Sequence, residues 1–171
     1  MKMSNYVFIA LKAIPGCQYC VRLKAHWERI VAKIREKFPD LQVTDICKSN
    51  LRTEARNTQL LPIVERCGLY LPMFMLVKKD VWKEAVKNNT PLTPDTAGVT
   101  IMNLNVASKT YEAKHDIYTE GDYVTWIGGV VGVRAPSFIR PSNGPAPSTE
   151  PPIDNLQSQA CSMNIVSYRH N

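Results

Sequence analysis

Residues 5 to 14, Asn-Tyr-Val-Phe-Ile-Ala-Leu-Lys-Ala-Ile, form a short apolar run rich in strand formers, and Pro15-Gly16 stops it. No polar face alternates with the apolar one, so the run reads as a strand buried on both sides. Such a strand belongs inside a layered sheet-and-helix domain. The chain has 171 residues, enough for one domain with a substantial core and a tail. At 44% hydrophobic and 21% charged residues, it is neither a wholly disordered chain nor a collagen nor a disulfide-dense mini-protein.

The next 21 residues have a different period. Cys20, Leu23, Trp27, Ile30, Ile34 and Phe38 recur at three- and four-residue steps, which predicts a helix over about 18–38 with one apolar stripe. Arg22, His26, Arg29 and Lys33 repeat on another face, and Pro39-Asp40 ends the pattern. Leu41 to Ile46 alternates and reads as a second strand. Residues 52 to 66 read as a second helix with Ala55, Leu60, Ile63 and Val64 inward, kinked or stopped early at Pro62 and ended at Cys67-Gly68. Leu71-Pro72-Met73-Phe74-Met75-Leu76-Val77 reads as a third strand opened by a proline. The order strand, helix, strand, helix, strand favours a sheet flanked by helices.

Beyond residue 80 the pattern loosens. Residues 81 to 114 contain turn-rich segments around Asn88–Pro91 and Thr93–Asp95, and read as an insertion with an extra strand over Val99–Val106. Asp116–Thr119 reads as a closing strand, Gly121-Asp122 as a turn or helix start, and Tyr123–Val133 as a last helix. The glycines 128, 129 and 132 would make that helix short or broken. Six of the 12 prolines fall between Pro136 and Pro152. Residues 135–171 therefore read as an extended proline-rich arm, with a small apolar patch at Met163, Ile165 and Val166, appended to a domain over 1–134.

The charge is uneven: residues 1–80 hold 14 Lys+Arg against 7 Asp+Glu, and the remainder 7 against 8. A basic half can meet nucleic acid, acidic proteins or anionic small molecules, or simply be a solvated helix face. Basic residues interleaved with aromatics in the manner of RNA-binding strands are missing, which argues against nucleic acid. No apolar run approaches the roughly 20 residues of a membrane span, and no signal-peptide pattern opens the sequence, so a cytoplasmic location is expected.

Five cysteines, Cys17, Cys20, Cys47, Cys67 and Cys161, are an odd number and do not suggest a disulfide framework. Cys17-Gln18-Tyr19-Cys20 lies between a predicted strand and a predicted helix. A helix N-terminus offers unpaired amide donors and partial positive charge, which favour a thiolate. Cys20, three residues on, is placed to attack a mixed disulfide at Cys17. Two other readings stay open on the residues alone: an inert buried thiol pair, or zinc. Zinc wants four ligands, and Cys47, Cys67, His26 and His115 are single and scattered, so no metal site is expected. Trp27 is expected in the core, His26 solvated, and Cys47 and Cys67 as buried or half-buried free thiols. Cys161, in the arm, is a candidate for pairing with another chain.

Cys-x-Tyr-Cys followed by a proline at the start of the third strand resembles the thioredoxin and glutaredoxin superfamily, over residues 5–80 and more faintly over 115–133. The resemblance implies an α/β, thioredoxin-like fold with a central mixed sheet, a cis Leu71–Pro72 bond facing the cysteines, Cys17 and Cys20 as catalytic thiols, and Tyr19, Leu71 and Pro72 lining a substrate groove. It implies thiol–disulfide exchange with protein partners or disulfide substrates and no resident cofactor. Glutathione is an open partner: Gln18 stands where glutaredoxins usually carry proline, Lys12 is further from the motif than their basic residue, and Gly121-Asp122 matches their glutathione-binding turn only faintly. A small thioredoxin-like module with a long arm also resembles structural components of large assemblies, including minor capsid proteins of large icosahedral DNA viruses. On that alternative the arm binds other chains and the implied location is the virion.

Overall fold

The computed structural model describes residues 5–13, 16–67, 71–105, 110–111 and 118–132. Of the expected strand at Asp116–Thr119, residues 116 and 117 lie outside the described residues, while Tyr118 and Thr119 form no strand and lead into the last helix, which Thr119 caps. The arm at 135–171, Cys161, the Met163–Val166 patch and His115 also lie outside the described residues. The elements are β1 (Tyr6–Lys12), α1 (Gln18–Lys37), β2 (Gln42–Cys47), α2 (Asn50–Thr53), a 3-10 helix (Ala55–Leu60), α3 (Leu61–Arg66), β3 (Met73–Lys78), α4 (Lys79–Asn88), β4 (Val99–Ile101), β5 (Leu104–Asn105), β6 (Thr110–Tyr111) and α5 (Glu120–Val131).

The chain is a mixed α/β protein. A four-stranded sheet has the order β2-β1-β3-β4, with β1 parallel to β2 and antiparallel to β3, and β4 antiparallel to β3. β5 and β6 pair as a separate short ribbon. The apolar run of β1 is explained by its place in the middle of the larger sheet. Val7, Ile9 and Leu11 enter one core with residues of α3, α4 and the 3-10 helix. Phe8 and Ala10 enter the other with α1 and α5. Alternation along β1 thus sorts side chains between two covered faces rather than between core and water.

The second core is aromatic. Phe8 stacks on Phe74 at 6.1 Å between ring centroids, and Tyr123 meets Phe74 edge-on at 5.0 Å. α1 supplies Cys20, Leu23, Trp27, Ile30 and Ile34 as its buried stripe. Arg35 and Lys37 in its last turn complement the negative end of the helix dipole.

Three local outcomes differ from the sequence reading. The expected helix over 52–66 is divided into α2, the 3-10 helix and α3. Pro62 sits in the first turn of α3, where its missing amide costs nothing, so it starts a helix instead of stopping one. Residues 81–88, read as the start of an insertion, belong to α4. Its apolar Val81, Trp82 and Ala85 sit at helical spacing, and Asn89 ends it in the left-handed conformation at φ 52°. Finally, α5 runs unbroken through Gly128 and Gly129. Thr119 and Asp122 form a capping box at its start, and Gly132 closes it at φ 74°. Among the described residues no helix is long and apolar enough to cross a membrane.

Candidate functional site

β1 and β2 are parallel, and β3 runs against them. The last residues of β1 and β2 and the first of β3 therefore share one end of the sheet: Lys12 pairs with Cys47, and Leu11 with Met73. After β1 the backbone reverses into α1 through Gly16, whose φ of 115° is a conformation that residues with a Cβ rarely adopt. Cys17 follows as the N-cap of α1, in extended conformation.

Cys17 caps with sulfur where a serine would cap with oxygen. Its Sγ accepts from the Cys20 amide at 3.2 Å and donates to the Leu71 carbonyl at 3.3 Å. Leu71 precedes Pro72 across a cis bond, and both are half-buried. The proline has no amide to give to the sheet, and β3 begins only at Met73.

Cys20 is fully buried because it is the first position of the α1 core stripe. Its Sγ accepts from the Ala13 amide at 3.4 Å. Burial pushes the Cys20 thiol up to about 12, and the neighbouring Cys17 thiol adds to the rise. The Ala13 amide and the Lys12 charge oppose it. Cys17 and Cys20 are both free thiols, one half-buried and the other enclosed. Tyr19 lies half-buried in the first turn of α1, and Val21, next to Cys20, is a large apolar side chain left 40% exposed.

The structure thus brings Cys17, Cys20 and Leu71 into direct contact at one end of the sheet, with Pro72 beside Leu71. It also joins Lys12, Trp27 and Asp45 there, a grouping that the sequence did not suggest. Lys12 Nζ lies 3.3 Å from Asp45 Oδ1 and 4.1 Å from the centre of the Trp27 ring, and Trp27 Nε1 donates to Asp45 Oδ2 at 2.7 Å. Burial lowers the Lys12 pKa, against the pull of Asp45. The available signal was a charged residue inside an otherwise apolar strand. Trp27 is core as expected, with its polar edge used as well.

Gly121-Asp122 lies in the first turn of α5, and the Asp122 carboxylate accepts from both the amide and the hydroxyl of Thr119. Cys67 is a free, buried thiol, as expected. Cys47, half-buried at the end of β2, is not: it is disulfide-bonded. His26 is exposed on α1 with Arg22 and Arg29. A separate shallow cleft of about 260 Å³ is lined by Arg56, Trp82, Lys83, Val86 and Lys87, so part of the basic surface surrounds an indole. Among the described residues no group of three or more His, Cys, Asp or Glu side chains is placed to hold a metal ion. Comparison with family models, with curated proteins and with solved structures gives no match to this chain.

Proposed function

We propose that the chain has a thioredoxin-like arrangement and exchanges disulfides with protein substrates, with Cys17 as nucleophile and Cys20 as resolving thiol. The observation that carries this reading is the asymmetry of the two sulfurs. Cys17 is half-buried at the tip of α1, between the Cys20 amide and the Leu71 carbonyl, while Cys20 is enclosed and holds its proton. A partly accessible sulfur attacks an incoming disulfide; an enclosed one reacts only with what is already bound beside it.

The chemistry balances without a cofactor. The Cys17 thiolate attacks one sulfur of the substrate disulfide. That S–S bond breaks, and its electron pair leaves on the other substrate sulfur, which takes a proton from water. Cys20, deprotonated, then attacks Cys17 Sγ, the mixed disulfide breaks, and the second substrate thiolate leaves. The substrate gains two electrons and the Cys17–Cys20 pair loses them; an external dithiol restores the pair. Tyr19, Val21, Leu71 and Pro72 are the side chains around Cys17 suited to touch the substrate chain.

The test is turnover of a chromogenic aromatic disulfide and of a disulfide-bonded protein, with a dithiol reductant. Cys17→Ser should abolish exchange, and Cys20→Ser should accumulate a one-to-one mixed disulfide at Cys17. A wild-type protein no faster than Cys17→Ser would sink the reading and leave a structural component of a larger assembly as the better one.

A further inference from the structure

α4 presents two rows of side chains side by side. Trp82 and Val86, four residues apart, are half-buried, and Lys83 and Lys87, the next position round the helix, are exposed. Arg56 of the 3-10 helix joins them, and the five side chains line a shallow cleft of about 260 Å³. α4 and the 3-10 helix cover one face of the sheet, while α1, whose start carries Cys17 and Cys20, covers the other.

The charge of the cleft is uncompensated. Lys83 and Lys87 are like charges at a spacing that makes them neighbours, which costs the helix a little stability. Glu84, between them in sequence, accepts from Asn88 instead. Among the described residues neither lysine has an ion-pair partner. Arg56 is 55% exposed and gives only its Nε to Glu54, at 3.2 Å, and that carboxylate also accepts from Asn50 and Asn57. Elsewhere Arg29, Lys33, Lys37 and Arg66 each meet a carboxylate.

The cations flank an apolar surface. Trp82 packs against the core with one side, which holds its ring in place, and Val86 lies one turn further along. Sites that enclose a small molecule start at roughly 300 Å³, and this cleft is smaller and shallow. It has room for one apolar side chain, whose chain neighbours would lie at the rim beside the cations.

We propose that this cleft docks an acidic segment of a partner protein. One apolar side chain of the segment sits on Trp82 and Val86, and the carboxylates beside it meet Arg56, Lys83 and Lys87. Charge complementarity selects the acids, and the indole selects the anchor. A single-stranded nucleic acid would want a longer cationic track with rings for successive bases, and Trp82 is the one ring lining the cleft. No cysteine takes part, so the site is independent of the exchange reading.

The probe is a dye-labelled peptide with blocked ends, Asp-Glu-Phe-Glu-Asp, titrated with the full chain at low salt and followed by fluorescence anisotropy. Binding should saturate and should weaken as salt is added. Lys83→Glu combined with Lys87→Glu should weaken it roughly tenfold or more, and so should a peptide with serine in place of phenylalanine. Trp82→Ala should weaken it as well. Trp82 also packs on the core, so the two exposed lysines carry the test if that variant does not fold. Cys17→Ser should bind the peptide as the wild type does.

No saturation with up to about 1 mM protein would overturn the proposal. So would a lysine double variant that binds as tightly as the wild type, or a serine peptide that binds as tightly as the phenylalanine one. A thymidine oligonucleotide that displaces the peptide and binds more tightly would overturn it in favour of single-stranded nucleic acid. Each of these results leaves the exchange reading intact, and loss of that reading leaves the cleft untouched.

Discussion

The Cys17 sulfur donates to the Leu71 carbonyl at 3.3 Å across 54 residues of sequence. The same sulfur accepts the Cys20 amide and so caps α1. One atom therefore joins the start of a helix to the segment leading into β3. Its position depends on both elements being seated on the sheet, and the exchange chemistry proposed for it would inherit that dependence.

Thiol labelling should follow enclosure. Cys17 is half-buried, while Cys20 is 0% and Cys67 4% exposed, and burial raises the pKa of both enclosed thiols. A short pulse of iodoacetamide on the reduced native protein should therefore modify Cys17 first, as read by mass spectrometry of the cysteine peptides. Earlier labelling of Cys20 or Cys67 would contradict the geometry.

Stability of the reduced protein should fall between about pH 9 and about pH 12. Folding raises Cys20 from 9.0 to about 12 and Tyr118 from 10.0 to about 12, chiefly through burial. The folded state keeps these protons when the unfolded chain has lost them. Their contribution is full below the unfolded values and is lost as pH rises through the folded ones. Lys12 acts in the opposite sense. Burial lowers its pKa below 10.5, so its contribution grows as pH rises toward that value. Cys67, also raised by burial, acts in the same sense as Cys20 and Tyr118; these raised acids dominate, and Tm should decline across the window. Cys20→Ala should flatten the decline, and Lys12→Met should steepen it. A Tm that climbs from pH 9 to 12 would show that the sign is wrong.

Where the sequence pattern was dense, it was readable. β1 and α1 announce themselves because every buried position is apolar and the spacing changes from continuous to three-and-four at the cysteines. The cis Leu71–Pro72 bond came from the resemblance, not from any local pattern. α4 was missed because Asn88, Asn89 and Pro91 at its far end are strong turn signals, while Val81, Trp82 and Ala85 give it only a short apolar stripe. The Lys12, Trp27 and Asp45 cluster was illegible for another reason. Its members lie on three elements, and Asp45 occupies an exposed position of β2 that an alternating strand gives to any polar residue. Only the register of β1 against β2 places the two side chains together.

Phe8→Ala should cost about 3–5 kcal/mol. Phe8 is 0% exposed, sits on the central strand, and meets Phe74, Trp27 and Tyr123 at 6.1–6.3 Å between ring centroids. The cavity would open between the sheet and both α1 and α5, where no neighbouring backbone can close in. Urea unfolding should show a lower midpoint with an unchanged slope. A loss below about 1 kcal/mol would mean that this core collapses around the gap.

Two contacts at the start of α5 allow capping and charge pairing to be compared directly. Thr119 accepts from the Asp122 amide while Asp122 accepts from the Thr119 amide, so both backbone donors are satisfied. Thr119→Ala should cost about 1 kcal/mol. Glu120 in the first turn is paired with Arg29 of α1, but the Arg29 side chain is 70% exposed. In that setting solvent screens the attraction, and holding two long side chains together costs entropy, so Arg29→Gln should cost roughly 0.2–1 kcal/mol and less in high salt. The cap should therefore outweigh the ion pair, and 1 M salt should widen the gap. Measured by urea unfolding at low and high salt, the reverse order would mean that α5 is held to α1 by charge more than by its own first turn.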